Sequence, residues 1–113
     1  MPRMISFSFQ TDAETTQIFK IVVLCLKKYF DHTEKSAIES INAYYTKNIN
    51  RIDDDFYHQE MPFRVAVRIQ YSEVLKLGSD RSIEFYNWMR ASGYNDSPHE
   101  ALAYFRKHYY VDG

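Results

Sequence analysis

Asp53-Asp54-Asp55-Phe56-Tyr57-His58-Gln59-Glu60-Met61-Pro62-Phe63-Arg64-Val65-Ala66-Val67-Arg68-Ile69-Gln70-Tyr71 joins an acidic, histidine-containing run to a strongly apolar one. The reading of this stretch decides the fold. Pro62 suits a first helical position, where its missing N–H would have no intrahelical partner in any case. Asp55 and Glu60 precede it, and negative charge near a helix N-terminus is favoured by the dipole. Phe63, Ala66, Val67, Gln70, Tyr71, Val74 and Leu77 follow at helical spacing, while Val65 and Ile69 fall off that stripe. A helix apolar on more than one side packs between neighbours. The stretch therefore predicts a central helix from Pro62 to Leu77-Gly78, with Gly78 at its C-terminal end. Arg64 and Arg68, four apart, project together and reach either back to Asp53–Asp55 or out to an acidic partner.

The flanking sequence predicts four more helices. Thr11-Asp12-Ala13-Glu14 reads as a capping box with Thr11 as N-cap. The helix after it runs to about Tyr29 and buries Ile18, Phe19, Ile21, Val22, Cys25 and Leu26. Asp31 or Thr33 caps a second helix carrying Ala37, Ile38, Ile41, Tyr44 and Tyr45, stopped near Asn48 or Asn50. Ile49 and Ile52 are expected to hold the next connector to the core. Ser79 or Asp80 caps the helix after the central one, with Ile83, Phe85, Tyr86, Trp88 and Met89 on its apolar surface and Gly93 at its end. Ser97-Pro98-His99-Glu100 opens the last helix, with Ser97 as N-cap, and Ala101, Leu102, Phe105 and Tyr109 face inward. Before the first helix, Ile5, Phe7 and Phe9 alternate with Ser6, Ser8 and Gln10. Such an arm is either a strand paired with Tyr109-Tyr110-Val111 or a second copy, or an extended segment packed on helices.

The expectation is an all-α, single-domain bundle of about five helices over residues 1–113, with an extended N-terminal arm. Three Gly and three Pro among 113 residues favour helices over a many-turned sheet. Hydrophobic residues at 45 % suffice for one core. A net charge of −1 offers no general attraction to nucleic acid or to an anionic membrane. The apolar run Ile18–Leu26 is too short to span a bilayer. Cys25, the one cysteine, forms no internal disulfide, which points to a reducing cytoplasm, and its apolar neighbours make it a core residue.

Asp53, Asp54, Asp55, His58 and Glu60 form the one cluster with acid/base or metal-binding chemistry. Asp54 and His58 are four apart and share a helix face. No zinc-protease, EF-hand, phosphate-loop, dinucleotide or nucleophile-elbow pattern accompanies them, so no cofactor or metal is assigned. Trp88, Tyr86, Tyr94, Tyr104, Tyr109 and Tyr110 concentrate aromatic surface in the last third, and Tyr and Trp are favoured at interfaces.

Residues 54–63 resemble a segment of small, uncharacterised bacterial helical proteins, some of which are similar to immunity proteins. That resemblance implies a bacterial protein that binds and neutralises a partner toxin. The expected function is a non-enzymatic interaction module. Its partner-facing residues would be Asp53, Asp54, Asp55, His58, Glu60, Arg64, Arg68, Trp88 and Tyr94, set against a basic protein surface. The alternatives are a small metal-assisted or acid/base enzyme using Asp54, His58 and Glu60, and a homo-oligomer joined through the N-terminal arm.

Overall fold

Helix α1, Ala13–Phe30, is the longest element, and its eight buried positions leave little of it facing water. A computed structural model describes residues 6–109. Around α1 pack α2 (Glu34–Asn48), α3 (Asp54–Glu60), α4 (Pro62–Ile69) and α6 (His99–Tyr109), while α5 (Ile83–Ala91) packs its Phe85 and Trp88 on Tyr71. Among the described residues there is no strand. The all-α expectation holds, with six helices in place of five.

The sixth helix comes from the acidic run. Asp54–Glu60 forms a separate two-turn helix, set at an angle to α4 by Met61 at φ 79° and ψ 146°. Non-glycine residues seldom adopt that backbone, and it costs of order 1–3 kcal/mol. Pro62 explains why the chain breaks there: its ring disfavours helical geometry at the preceding residue. Pro62 opens α4 as expected, and Phe63, Val65, Ala66, Val67, Arg68 and Ile69 are all buried, the pattern of a helix enclosed on every side. Its neighbours are α1, α2, α3 and α6.

The central helix does not continue unbroken to Leu77. From Gln70 to Val74 it widens into a π-helical turn, with the Leu75 N–H bonded to the Gln70 carbonyl at 2.9 Å. Ser72 Oγ donates to the Arg68 carbonyl at 2.8 Å within this turn. The helix ends with this turn, and Lys76, at φ 51°, redirects the chain, so Val74 and Leu77, expected on the buried stripe, are 37 % and 53 % exposed. The left-handed residue that ends the segment is Lys76 rather than Gly78, with the Leu77 N–H returning to the Tyr71 carbonyl.

Several caps move by a residue or more. Asp12, not Thr11, caps α1, its Oδ1 accepting from the Thr15 N–H at 2.7 Å. Thr33 caps α2 as expected. Ser82, not Ser79 or Asp80, caps α5, because Asp80 is buried and engaged elsewhere. Gly93, at φ 80°, ends α5 with the Tyr94 N–H bonded back to the Met89 carbonyl, as expected. Helix α6 begins at His99, one residue after the expected Pro98, whose carbonyl accepts from Ala101 and Leu102.

The described part of the N-terminal segment bends at Ser8 and Phe9 and forms no strand. Its alternation survives as a face: Phe7 and Phe9 are half-buried, and Ser6, Ser8 and Gln10 are exposed. Phe9 stacks on Tyr45 at 3.9 Å between ring centroids, and both rings meet Phe19 edge-on. The Ser8 N–H donates to Asn42. Ile5 and Tyr110-Val111 lie outside the described residues, and Tyr109 belongs to α6 rather than to a strand.

Cys25 is 4 % exposed on α1. Burial pushes its thiol pKa up to about 12. A thiol reagent is expected to label the native protein slowly and the denatured protein at once. Because the folded pKa lies above the ordinary 9.0, the native state holds a proton that the unfolded state releases. Its contribution to stability is complete below pH 9 and falls as pH rises toward 12. Rapid stoichiometric labelling of native protein at neutral pH would contradict the burial.

Candidate interaction surface

The acidic run is tied into the fold at three separate points. Asp54 Oδ1 accepts the Tyr45 hydroxyl at 3.1 Å. Burial and this carboxylate together raise the Tyr45 pKa to about 12, so the hydroxyl remains a donor at neutral pH. His58 Nε2 hydrogen-bonds with the Thr15 hydroxyl at 2.8 Å, beside the N-terminus of α1. There Asp12 is held below the usual carboxylate range by hydrogen bonds from Thr15, and by the neighbouring His58. Glu60 turns the other way and pairs with Arg68. Asp53 and Asp55 remain exposed at the start of α3.

Asp54, His58 and Glu60 thus address three different neighbours. Among the described residues, no three His, Cys, Asp or Glu side chains are grouped to hold a metal ion. The other histidines are dispersed: His32 bonds Gln70 and Ser36, His99 is exposed, and His108 stacks on Tyr104. Zinc, manganese and calcium are expected to leave the melting temperature unchanged. A rise abolished by His58→Ala would point instead to a metal site.

The most concentrated charge in the described chain surrounds Arg68. This residue is 6 % exposed, and its guanidinium reaches Glu60, the Asp80 carbonyl at 2.7 Å, Asp80 Oδ2 at 3.3 Å and the Tyr86 hydroxyl at 3.2 Å. The rings of Phe56, Phe85 and Tyr86 lie 5.0–5.7 Å from its central carbon. Tyr44 donates to Asp80 at 2.6 Å from α2. Burial works against the charged guanidinium, but hydrogen bonds to Tyr86 and Glu60 outweigh it and raise the pKa. The arrangement clasps α2, α3, α4 and α5 together.

This placement corrects the expectation that Arg64 and Arg68 project together. Arg64 is half-buried and donates from Nε to the Asn95 carbonyl at 3.2 Å. Trp88 and Tyr94 are half-buried too. Trp88 packs against Tyr71, Phe85 and Tyr94, and Tyr94 packs against Phe30 and Phe63. They complete the aromatic core more than they stand out from it. One cue to the clasp was legible in the sequence: a cation flanked by Val67 and Ile69 on a helix apolar all round must find buried partners. Tyr44, Asp80 and Tyr86 carried no such cue.

Exposed large apolar side chains among the described residues fall mostly into two places. Ile49, Val74, Leu75, Leu77 and Ile83 occupy one end, at 37–68 % exposure. Ile49 and Ile83 depart from expectation, since both were read as core-facing. Lys47 pairs with Glu73 at 3.8 Å, and Arg81 Nη2 reaches the Arg51 carbonyl at 3.4 Å. These contacts bring the end of α2, which Ile49 follows, beside the π turn with Val74 and the connector with Leu75 and Leu77 that leads to Ile83 at the start of α5. Leu24 and Tyr104 belong to a groove between α1 and α6. Among the described residues no helix is long and apolar enough to cross a membrane. No protein family, curated protein or solved structure matches the chain.

Proposed function

We propose that the chain is a non-enzymatic interaction module that binds a partner protein through Ile49, Val74, Leu75, Leu77 and Ile83. The observation that carries this reading is their exposure, up to 68 % at Ile83, on segments that side-chain contacts hold together. Apolar groups gathered on a surface gain by being covered, at about 25 cal/mol per Å² removed from water. Exposed Lys47, Arg51, Lys76 and Arg81 rim these residues and set orientation. The acidic run, with Asp54 and Glu60 engaged inside the fold, contributes only Asp53 and Asp55 to long-range steering. A partner of the toxin kind, neutralised by occlusion in a bacterial cytoplasm, is the specific form of this proposal.

The test compares wild type with a Leu77→Asp/Ile83→Asp double variant as bait, with captured proteins identified by mass spectrometry. Both substitutions lie at exposed positions and should change stability by less than about 1 kcal/mol. A stoichiometric partner held by wild type is expected to bind the variant at least about tenfold more weakly. If the double variant retains its partner while Asp53→Lys/Asp55→Lys loses it, the acidic run is the binding surface after all. A wild-type dimer that the double variant dissolves would make a second copy the occupant.

A further inference from the structure

Leu24, Cys25 and Tyr29 on α1 face Ala101, Ala103 and Tyr104 on α6 across a groove of about 580 Å³. Clefts that hold small ligands span about 300–1,000 Å³. Its floor is apolar. Its charged lining is Lys27, Lys28 and Lys107 against the single acid Glu100. Glu100 is already committed, to Lys28 Nζ at 2.7 Å and to the Tyr29 hydroxyl at 3.2 Å. Lys28 and the Tyr29 hydroxyl hold its carboxyl below the usual range, and one acid against three lysines leaves the lining net positive. Lys27 and Lys107 are exposed cations beside an apolar trough.

We infer that this groove binds a fatty acid, with the hydrocarbon chain along Leu24, Ala101 and Tyr104 and the carboxylate at Lys27 and Lys107. Charge complementarity selects an anionic head, and the apolar floor selects an alkyl tail. The Glu100 bridge crosses from α6 to α1 and stops one end of the trough. This site is separate from the partner-binding end, and neither assignment depends on the other.

Calorimetric titration with dodecanoate below its micellar concentration provides the test, with dodecanol as the uncharged comparison. Dodecanoate is expected to bind at one site per chain and at least about tenfold more tightly than dodecanol, the worth of a charge-assisted contact. Lys27→Glu/Lys107→Glu should remove that preference while the circular dichroism spectrum stays that of wild type. Ala103→Trp places a large ring in the trough at an exposed helical position and should block both ligands. Equal affinity for dodecanoate and dodecanol would overturn the proposal. So would full dodecanoate binding by Ala103→Trp, or binding seen only with anionic vesicles and not with the free acid.

Discussion

Arg68→Ala is expected to lower the melting temperature by roughly 12–20 °C. Removing one member of a buried charge pair costs about 3–5 kcal/mol, because the abandoned charge stays desolvated. In a domain of this size each 1 kcal/mol corresponds to roughly 4 °C. Two carboxylates would be abandoned here, since Glu60 and Asp80 are only 15 % and 8 % exposed at their side chains. The stacked faces of Phe56, Phe85 and Tyr86 would also lose their planar neighbour. Arg64→Ala, four residues earlier, removes one surface contact to a carbonyl and should cost about 1 kcal/mol or less. A triple variant, Arg68→Met with Glu60→Gln and Asp80→Asn, should recover much of the loss by removing the charges together. Thermal denaturation of the four proteins decides the matter. An Arg68→Ala protein melting within a few degrees of wild type would show that the clasp contributes little.

Replacing Phe7 and Phe9 by serine is expected to cost about 2–4 kcal/mol, or roughly 10 °C in melting temperature. Both rings are half-buried, so each forfeits part of the transfer energy of a core phenylalanine and part of an aromatic pair. Phe9 contributes more, because it stacks on Tyr45 and also meets Phe19. Phe19 itself is fully buried at the meeting point of Phe7, Phe9, Tyr45 and Tyr57. Phe19→Ala should therefore cost about 3–5 kcal/mol. The Phe7→Ser/Phe9→Ser protein should remain as monomeric or oligomeric as wild type, since these rings are covered within one chain. A change in sedimentation with no change in melting temperature would instead make the segment a contact between copies.

The helices were legible because their signals are local. Thr33 ahead of α2, Pro62 at the start of α4 and Gly93 after α5 act within one turn of chain. The burial of Ile18, Phe19, Val22 and Leu26 follows from a period that neighbouring residues share. Where two signals competed within a turn, distance contacts chose between them. Asp80 is as good a cap by type as Ser82, but Tyr44 and Arg68 bind it, and the helix starts two residues later.

What the sequence by itself determined is an all-helical chain with Cys25, Phe19 and the α4 residues inside. What only the tertiary structure decided is the assignment of the polar groups. Arg68 could have served a partner, and it is instead enclosed by residues 8 and 12 positions away and by rings from two helices. Glu60, Asp54 and His58 look like one cluster along the chain, yet Glu60, two residues after His58 on the same short helix, faces the other way and meets Arg68, while Asp54 and His58 meet Tyr45 and Thr15. The exposure of Leu75 and Leu77 follows from where the helix ends, at the wide turn Gln70–Val74 and the left-handed Lys76. Hydrophobic periodicity states which residues share a face and says nothing of where a turn gains a residue. A charge's partner is set by folding across the chain, and no spacing in the sequence encodes it.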